Sequence, residues 1–161
     1  MTVHKLTEDF YEDTYTLIAI HSSLDSYRLA YFLNGVLKIK LSRLPKDLLL
    51  GEGAAFAVYE SYDETTDLLW NLVANKTNVA VQKQDIALDM FAAPVGVEAH
   101  YVLPEYPKVD HLLKIDDGEG SFSKVLDVLK LIKRMPQVIT AYELETDQLK
   151  SKSNLIFLAN A

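Results

Sequence analysis

The chain contains no cysteine. Disulfides, thiolate metal sites and cysteine nucleophiles are excluded at once, and the composition fits a reducing compartment. Long apolar runs are missing too. No stretch approaches the ~20 consecutive apolar residues that a membrane-spanning helix needs. The N-terminal "MTVHKLTEDFYEDTY" is acidic. It lacks a basic stretch followed by an apolar one, so it does not read as a secretory signal, and the expected location is the cytoplasm. Positive charge is scarce: 16 Lys and Arg stand against 23 Asp and Glu, for a formal charge of −7. Nucleic-acid binders draw most of their affinity from a basic face that neutralises phosphates. The densest basic group here, Lys124, Lys130, Lys133 and Arg134, is interleaved with apolar residues at helical spacing. It reads as a solvated helix face, so neither nucleic acid nor a membrane is an expected partner.

Catalytic and ligand signatures are equally thin. No G-x-S-x-G elbow, G-x-G-x-x-G loop or H-E-x-x-H pair occurs. The four histidines, His4, His21, His100 and His111, show no local ligand spacing. No metal and no cofactor is expected.

What the chain does have is the making of one core. Its 161 residues, 49% hydrophobic and 24% charged, suit a single domain over 1–161. "TYTLIAIHS" (14–22) reads as a buried strand. Ser22 and Asp25 stand at capping-box spacing before a helix "SSLDSYRLAYFLN", with Gly35 as its stop. "VLKIKLSRL" (36–44) alternates apolar and basic residues and reads as a half-exposed strand. Residues 55–61 and 67–74 read as a hairpin with its turn at 62–66, and Trp70 as a core residue. Residues 75–97 read as strand plus loop, with a turn at Pro94–Gly96. Strands are expected at 98–103, 109–115 and 137–144. "FSKVLDVLKLIKRM" is the clearest helix, with Phe122, Val125, Leu129 and Ile132 on one stripe and Pro136 ending it. "NLIFLA" (154–159) is a last apolar segment. Two β-α-β units separated by hairpin strands predict an α+β fold: a mostly antiparallel sheet with two main helices on one face, on a ferredoxin-like or ACT-like plan.

Three places could carry function. The first strand-to-helix turn gathers His21, Ser22, Ser23, Asp25 and Arg28, for which helix capping and a surface ion pair are the plainer reading. The loop "IDDGEGS" offers Gly118, Gly120 and Ser121 beside Asp116, Asp117 and Glu119. Its acids would repel a phosphate, so an acidic turn feeding an N-cap at Ser121 or Ser123 is the plainer reading. The third is "LPEYPKVDH" (103–111). Pro104 and Pro107 fix their φ angles, lack N–H donors and push Leu103 and Tyr106 to extended conformations. Glu105 and Asp110 flank this stiff stretch. They would share a proton or a cation if they met, or shape the bend by accepting backbone N–H bonds if they did not.

"LPEYPKVDH" also resembles the signature of the IPExxxVDY family of small bacterial proteins. Pro104, Glu105, Val109 and Asp110 match in spacing. Leu103 stands for Ile, and His111 stands for Tyr, which replaces a phenol with an imidazole. "YTLIAIHSSLDSYRLAYFLN" and "LKSKSNLIF" are similar in kind to that family's early β-α segment and tail. The resemblance implies a bacterial cytoplasmic protein and brings no activity with it.

The leading expectation is a non-enzymatic module for protein–protein interaction or self-association. It rests on the missing nucleophile set, metal spacing and phosphate loop, and on nine tyrosines that suit an interface. A homodimer or an unknown protein is the expected partner. One alternative is a small-molecule sensor binding at Ser22, Ser23, Arg28 and Gly118 to Ser121. The other is an acid–base enzyme around Glu105, Asp110 and His111.

Overall fold

Strand β1 (Tyr15–His21) is apolar at nearly every position because both of its faces are covered. In the computed structural model, which describes residues 15–51, 53–81 and 96–157, Leu17 to Ile20 are wholly buried. Ile18 and Ile20 face one layer of core; Leu17 and Ala19 face another. After β1 come α1 (Ser26–Leu37), β2 (Ser42–Arg43), β3 (Leu48–Leu50), β4 (Ala54–Phe56), β5 (Val58–Asp63) and β6 (Leu68–Ala74). Then follow β7 (Lys76–Val81), β8 (Gly96–Tyr101), β9 (His111–Asp116), α2 (Val125–Lys133) and β10 (Thr140–Leu144). Two short 3-10 turns, Thr146–Gln148 and Lys152–Leu155, complete the order.

The fold is α+β. Six strands form one sheet in the order β10-β1-β9-β6-β5-β2, and every neighbouring pair is antiparallel. Strands β9 and β10 therefore run parallel to each other with β1 between them, so β9-α2-β10 is a split β-α-β unit. Both helices pack on one face. Leu29 and Leu33 of α1 and Val128, Leu129 and Ile132 of α2 join Ile18, Ile20, Trp70, Leu72, Leu113 and Ile115. Trp70 meets Phe122 edge to face, 6.1 Å between centroids. The second face is covered without helices. Phe56 and Val58, the corner residues Val102, Leu103 and Val109, and the C-terminal Leu149 and Leu155 close over Leu17, Ala19, Val73 and Leu112. Two further hairpins, β3-β4 and β7-β8, stand apart from the main sheet.

Five local expectations change. The strand expected over 55–61 is divided: Ala54–Phe56 pairs with β3, while Val58–Asp63 pairs with β6, which moves the hairpin turn from 62–66 to 64–67. Gly35 does not stop the first helix, which runs on to Leu37 and ends at Lys38 in the left-handed conformation, φ 58°. Val36 and Leu37 stay helical because both pack against the helix-side core. The strand expected over 36–44 shrinks to Ser42–Arg43. Its middle is diverted, since Asn34 clamps Leu41 by both N–H (2.7 Å) and C=O (3.1 Å) and Ser61 Oγ accepts the Lys40 N–H at 2.9 Å. The capping box is not made: Asp25 is the N-cap of α1 without a side-chain bond. The N-cap of α2 is Lys124 rather than Ser121 or Ser123, because Ser121 is bound to Asp117. The turn expected at Pro94–Gly96 lies mostly outside the described residues, as does most of 82–97.

Candidate functional site: a corner that ties three segments

Strand β8 stops at Tyr101 because the next backbone groups leave the ladder for one buried asparagine. Asn75, wholly buried at the β6–β7 junction, accepts the Leu103 N–H on Oδ1 at 2.8 Å. Its Nδ2 donates to the carbonyls of Tyr106 (2.8 Å) and Val109 (3.0 Å). Its own N–H donates to Asp110 O, and its C=O accepts from Val102 N–H, both at 2.9 Å. Five bonds on one residue hold the proline-stiffened chain in its bend. A primary amide suits the place, since it offers two donors and one acceptor.

The acids of the corner face away from each other's partners. Glu105 Oε2 accepts the N–H groups of Lys150 (2.7 Å) and Ser151 (2.9 Å). Burial alone would raise its pKa, but the N–H groups of its own residue, Ser151 and Lys150 outweigh that and lower it. Asp110 Oδ2 accepts the Ser22 N–H at 2.9 Å. His111 is 4% exposed, and its Nε2 donates to Leu24 O at 2.8 Å. That bond fixes the Nε2–H tautomer, leaving Nδ1 buried without a partner. Burial pushes the imidazole pKa down; the Leu24 carbonyl and the charges of Asp110 and Asp25 oppose it in part. The corner thus fastens the β1–α1 junction through Asp110 and His111, and the C-terminal segment through Glu105. Pro104 is exposed and Val109 buried.

The first strand-to-helix turn is occupied in the same way. Ser22, 2% exposed, donates its hydroxyl to Gln137 O at 2.8 Å and accepts the Leu24 N–H at 3.2 Å. Ser23 is exposed. Arg28 sits on the surface between the Tyr27 hydroxyl (3.1 Å) and Asp25 (3.7 Å). His21 lies 3.0 Å from the Tyr142 hydroxyl. In the acidic loop, Gly118 N–H donates to Asp116 Oδ1. The N–H groups of Glu119, Gly120 and Ser121 all converge on Asp117. The N–H groups that an anion would need are taken by the chain's own carboxylate. Burial alone would raise the pKa of Asp117; those N–H donors lower it.

Among the clefts lined by described residues, two lie elsewhere, and no residue of the corner lines either. One, of about 350 Å³, is lined by Tyr15, Thr16, Gly120 and Glu143 to Asp147. The other, of about 650 Å³, is lined by Arg43 to Asp47 and Leu49. Among the described residues no group of three His, Asp or Glu side chains is placed to hold a metal ion, and no helix is long and apolar enough to cross a membrane.

Residues that the sequence did not single out carry much of this arrangement. Asn75 is the first. Lys114 is the second: it donates to Leu155 O at 2.9 Å and stands over the rings of Tyr15 (4.7 Å) and Phe157 (5.3 Å). Burial lowers its pKa, with Asp116 opposing. Its only sequence signal is a lysine inside an apolar strand, "HLLKI". Comparison with protein-family models, curated proteins and solved structures returned no match.

Proposed function

We propose that this chain is a non-enzymatic module that works by protein contact, and that its partner is a second copy joined edge to edge through β10. The observation that carries the reading is the contrast between the two edges of the sheet. Strand β2 has two residues, too few to template another strand. β10 has five and pairs only with β1 among the described residues. An outer strand of that length is normally blunted by lysine, proline or a bulge. β10 carries neither lysine nor proline, and its sole charge is Glu143. Ile139 just before it is 77% exposed and Tyr142 within it 38%.

Antiparallel pairing about a two-fold axis at Tyr142 sets that ring opposite Tyr142 of the partner subunit. Ala141 then faces Glu143 of the partner subunit, and Thr140 faces Leu144 of the partner subunit. No like charges meet, and an aromatic pair sits on the axis. The corner supports the non-enzymatic half of the reading, because Glu105 Oε2, Asp110 Oδ2 and His111 Nε2 are each bonded to backbone groups of different segments, and the two buried atoms left without a partner, Glu105 Oε1 and His111 Nδ1, line neither cleft. The ferredoxin-like or ACT-like plan belongs to the same reading, supported by the split unit around β1. So does membership of the IPExxxVDY family, supported by Pro104, Glu105, Val109 and Asp110.

Sedimentation velocity over a concentration series reaching about 1 mM tests it. The expected result is a concentration-dependent dimer that Ile139→Lys with Tyr142→Lys abolishes while the fold is kept. A strict monomer throughout would overturn the reading.

A further inference from the structure

Residues 149–157, "LKSKSNLIF", leave β10 through the turn Thr146–Gln148 and cross the second face of the sheet without adding a strand. Among the described residues, their backbone-to-backbone bonds are all local: Leu149 N–H to Thr146 O, Asn154 N–H to Ser151 O and Ile156 N–H to Ser153 O. The bonds and contacts that dock them, around the 3-10 turn Lys152–Leu155, are of the two kinds that hold a bound peptide: polar bonds to its main chain and pockets for its side chains. The Glu105 carboxylate takes two successive N–H groups, Lys150 and Ser151. Val102 O accepts the Asn154 amide at 2.8 Å. Lys114 takes Leu155 O at 2.9 Å. Leu149 and Leu155, 6% and 1% exposed, enter the second-face core. Charge fits as well: the segment carries Lys150 and Lys152 and no acid, on a chain of formal charge −7.

We propose that the groove under residues 149–157 is a peptide-binding site filled in cis by the chain's own strap, and that its other occupant is the same segment of a second copy. This rests on the self-association reading and deepens it, since exchange of an identical segment between two copies is a low-cost route from monomer to dimer. The tethered strap outcompetes a free one, because a short connection gives it an effective concentration in the millimolar range. Occupancy in trans becomes visible once the cis strap is disabled.

The Leu155→Asp chain does this, leaving every groove residue in place. A fluorescent peptide of sequence LKSKSNLIF should bind it saturably, at least about tenfold tighter than it binds the unaltered chain. Adding Glu105→Gln to that chain should weaken the binding, and a peptide with the same Leu→Asp change should not bind. Equal binding of both peptides, or none to a folded Leu155→Asp chain, would overturn the proposal. If that chain does not fold, hydrogen exchange in the unaltered protein decides. The amides of Lys150 and Ser151 should open at lower cost than those of β1; equal protection would make the strap part of the core and end the idea. Peptide binding should survive Ile139→Lys with Tyr142→Lys, so a failure of edge pairing and a failure of the groove are read separately.

Discussion

Asn75 and His111 show how much a single buried polar side chain decides. Replacing Asn75 with Ala would leave the Leu103 N–H and the carbonyls of Tyr106 and Val109 without their partner. An unmet buried polar group costs about 1–3 kcal/mol, so Asn75→Ala should destabilise by about 3 kcal/mol or more. Urea titration should show a lower midpoint at unchanged slope. His111 predicts a pH effect. Its folded pKa lies below the ordinary 6.5, so the unfolded chain binds the proton more readily. Stability from this residue is fully present above pH 6.5 and is lost as pH falls through the folded pKa. Between pH 6.5 and the carboxylate range, unfolding free energy should drop with a slope of at most about 1.4 kcal/mol per pH unit. His111→Phe should be less stable at pH 8 and lack that slope. An unchanged slope would assign the effect to another group.

Among the elements, the two helices differ in how plainly they declare themselves. α2 forms within the segment that its stripe and proline stop mark, with Val125, Leu129 and Ile132 in the helix, while Phe122 falls before its start at Val125 and still packs on Trp70. α1 overruns Gly35, a residue with positional meaning only when the backbone needs it. Here Gly35 is mid-helix, and a Cβ at that position would meet nothing within 4 Å. Gly35→Ala should therefore stabilise by about 0.5–1 kcal/mol through helix propensity. Thermal unfolding should shift upward by about 2–4 °C per kcal/mol gained for a chain of this size. The strand expected after α1 illustrates the opposite case. Its alternation is real, but the side chains of Asn34 and Ser61 capture its backbone, and only two residues remain to pair with β5.

At the scale of the whole molecule, the corner 103–111 is where the chain is tied together. Asp110 and His111 reach the first strand–helix junction, Asn75 reaches in from the hairpin strands, and Glu105 holds the C-terminal strap. The net charge acts at this scale too. Two copies at −7 each repel over a Debye length of about 10 Å at 0.1 M salt, shortening to about 3 Å at 1 M. The β10 edge itself holds few charges. The edge-paired dimer should therefore tighten as salt rises, read by sedimentation equilibrium at low and high ionic strength. Weakening with salt would mean that attraction between opposite charges, and not edge pairing, joins the copies.

The sequence by itself determined the elements whose side chains obey one period. The buried runs of β1 and β9, the existence of a hairpin whose second strand is β6, Trp70 in the core and the Val125, Leu129 and Ile132 stripe of α2 follow from apolar spacing, which acts locally and survives in any context. It also placed a stiff bend at Pro104 and Pro107, because proline restricts its own φ and its neighbour's conformation wherever it stands. Only the tertiary structure decided what Glu105, Asp110, His111, Asn75 and Lys114 do. A carboxylate, an imidazole or an amide has no period. Its role is set by which backbone N–H or C=O folding brings within 3 Å, and here those groups lie 28 to 88 residues away.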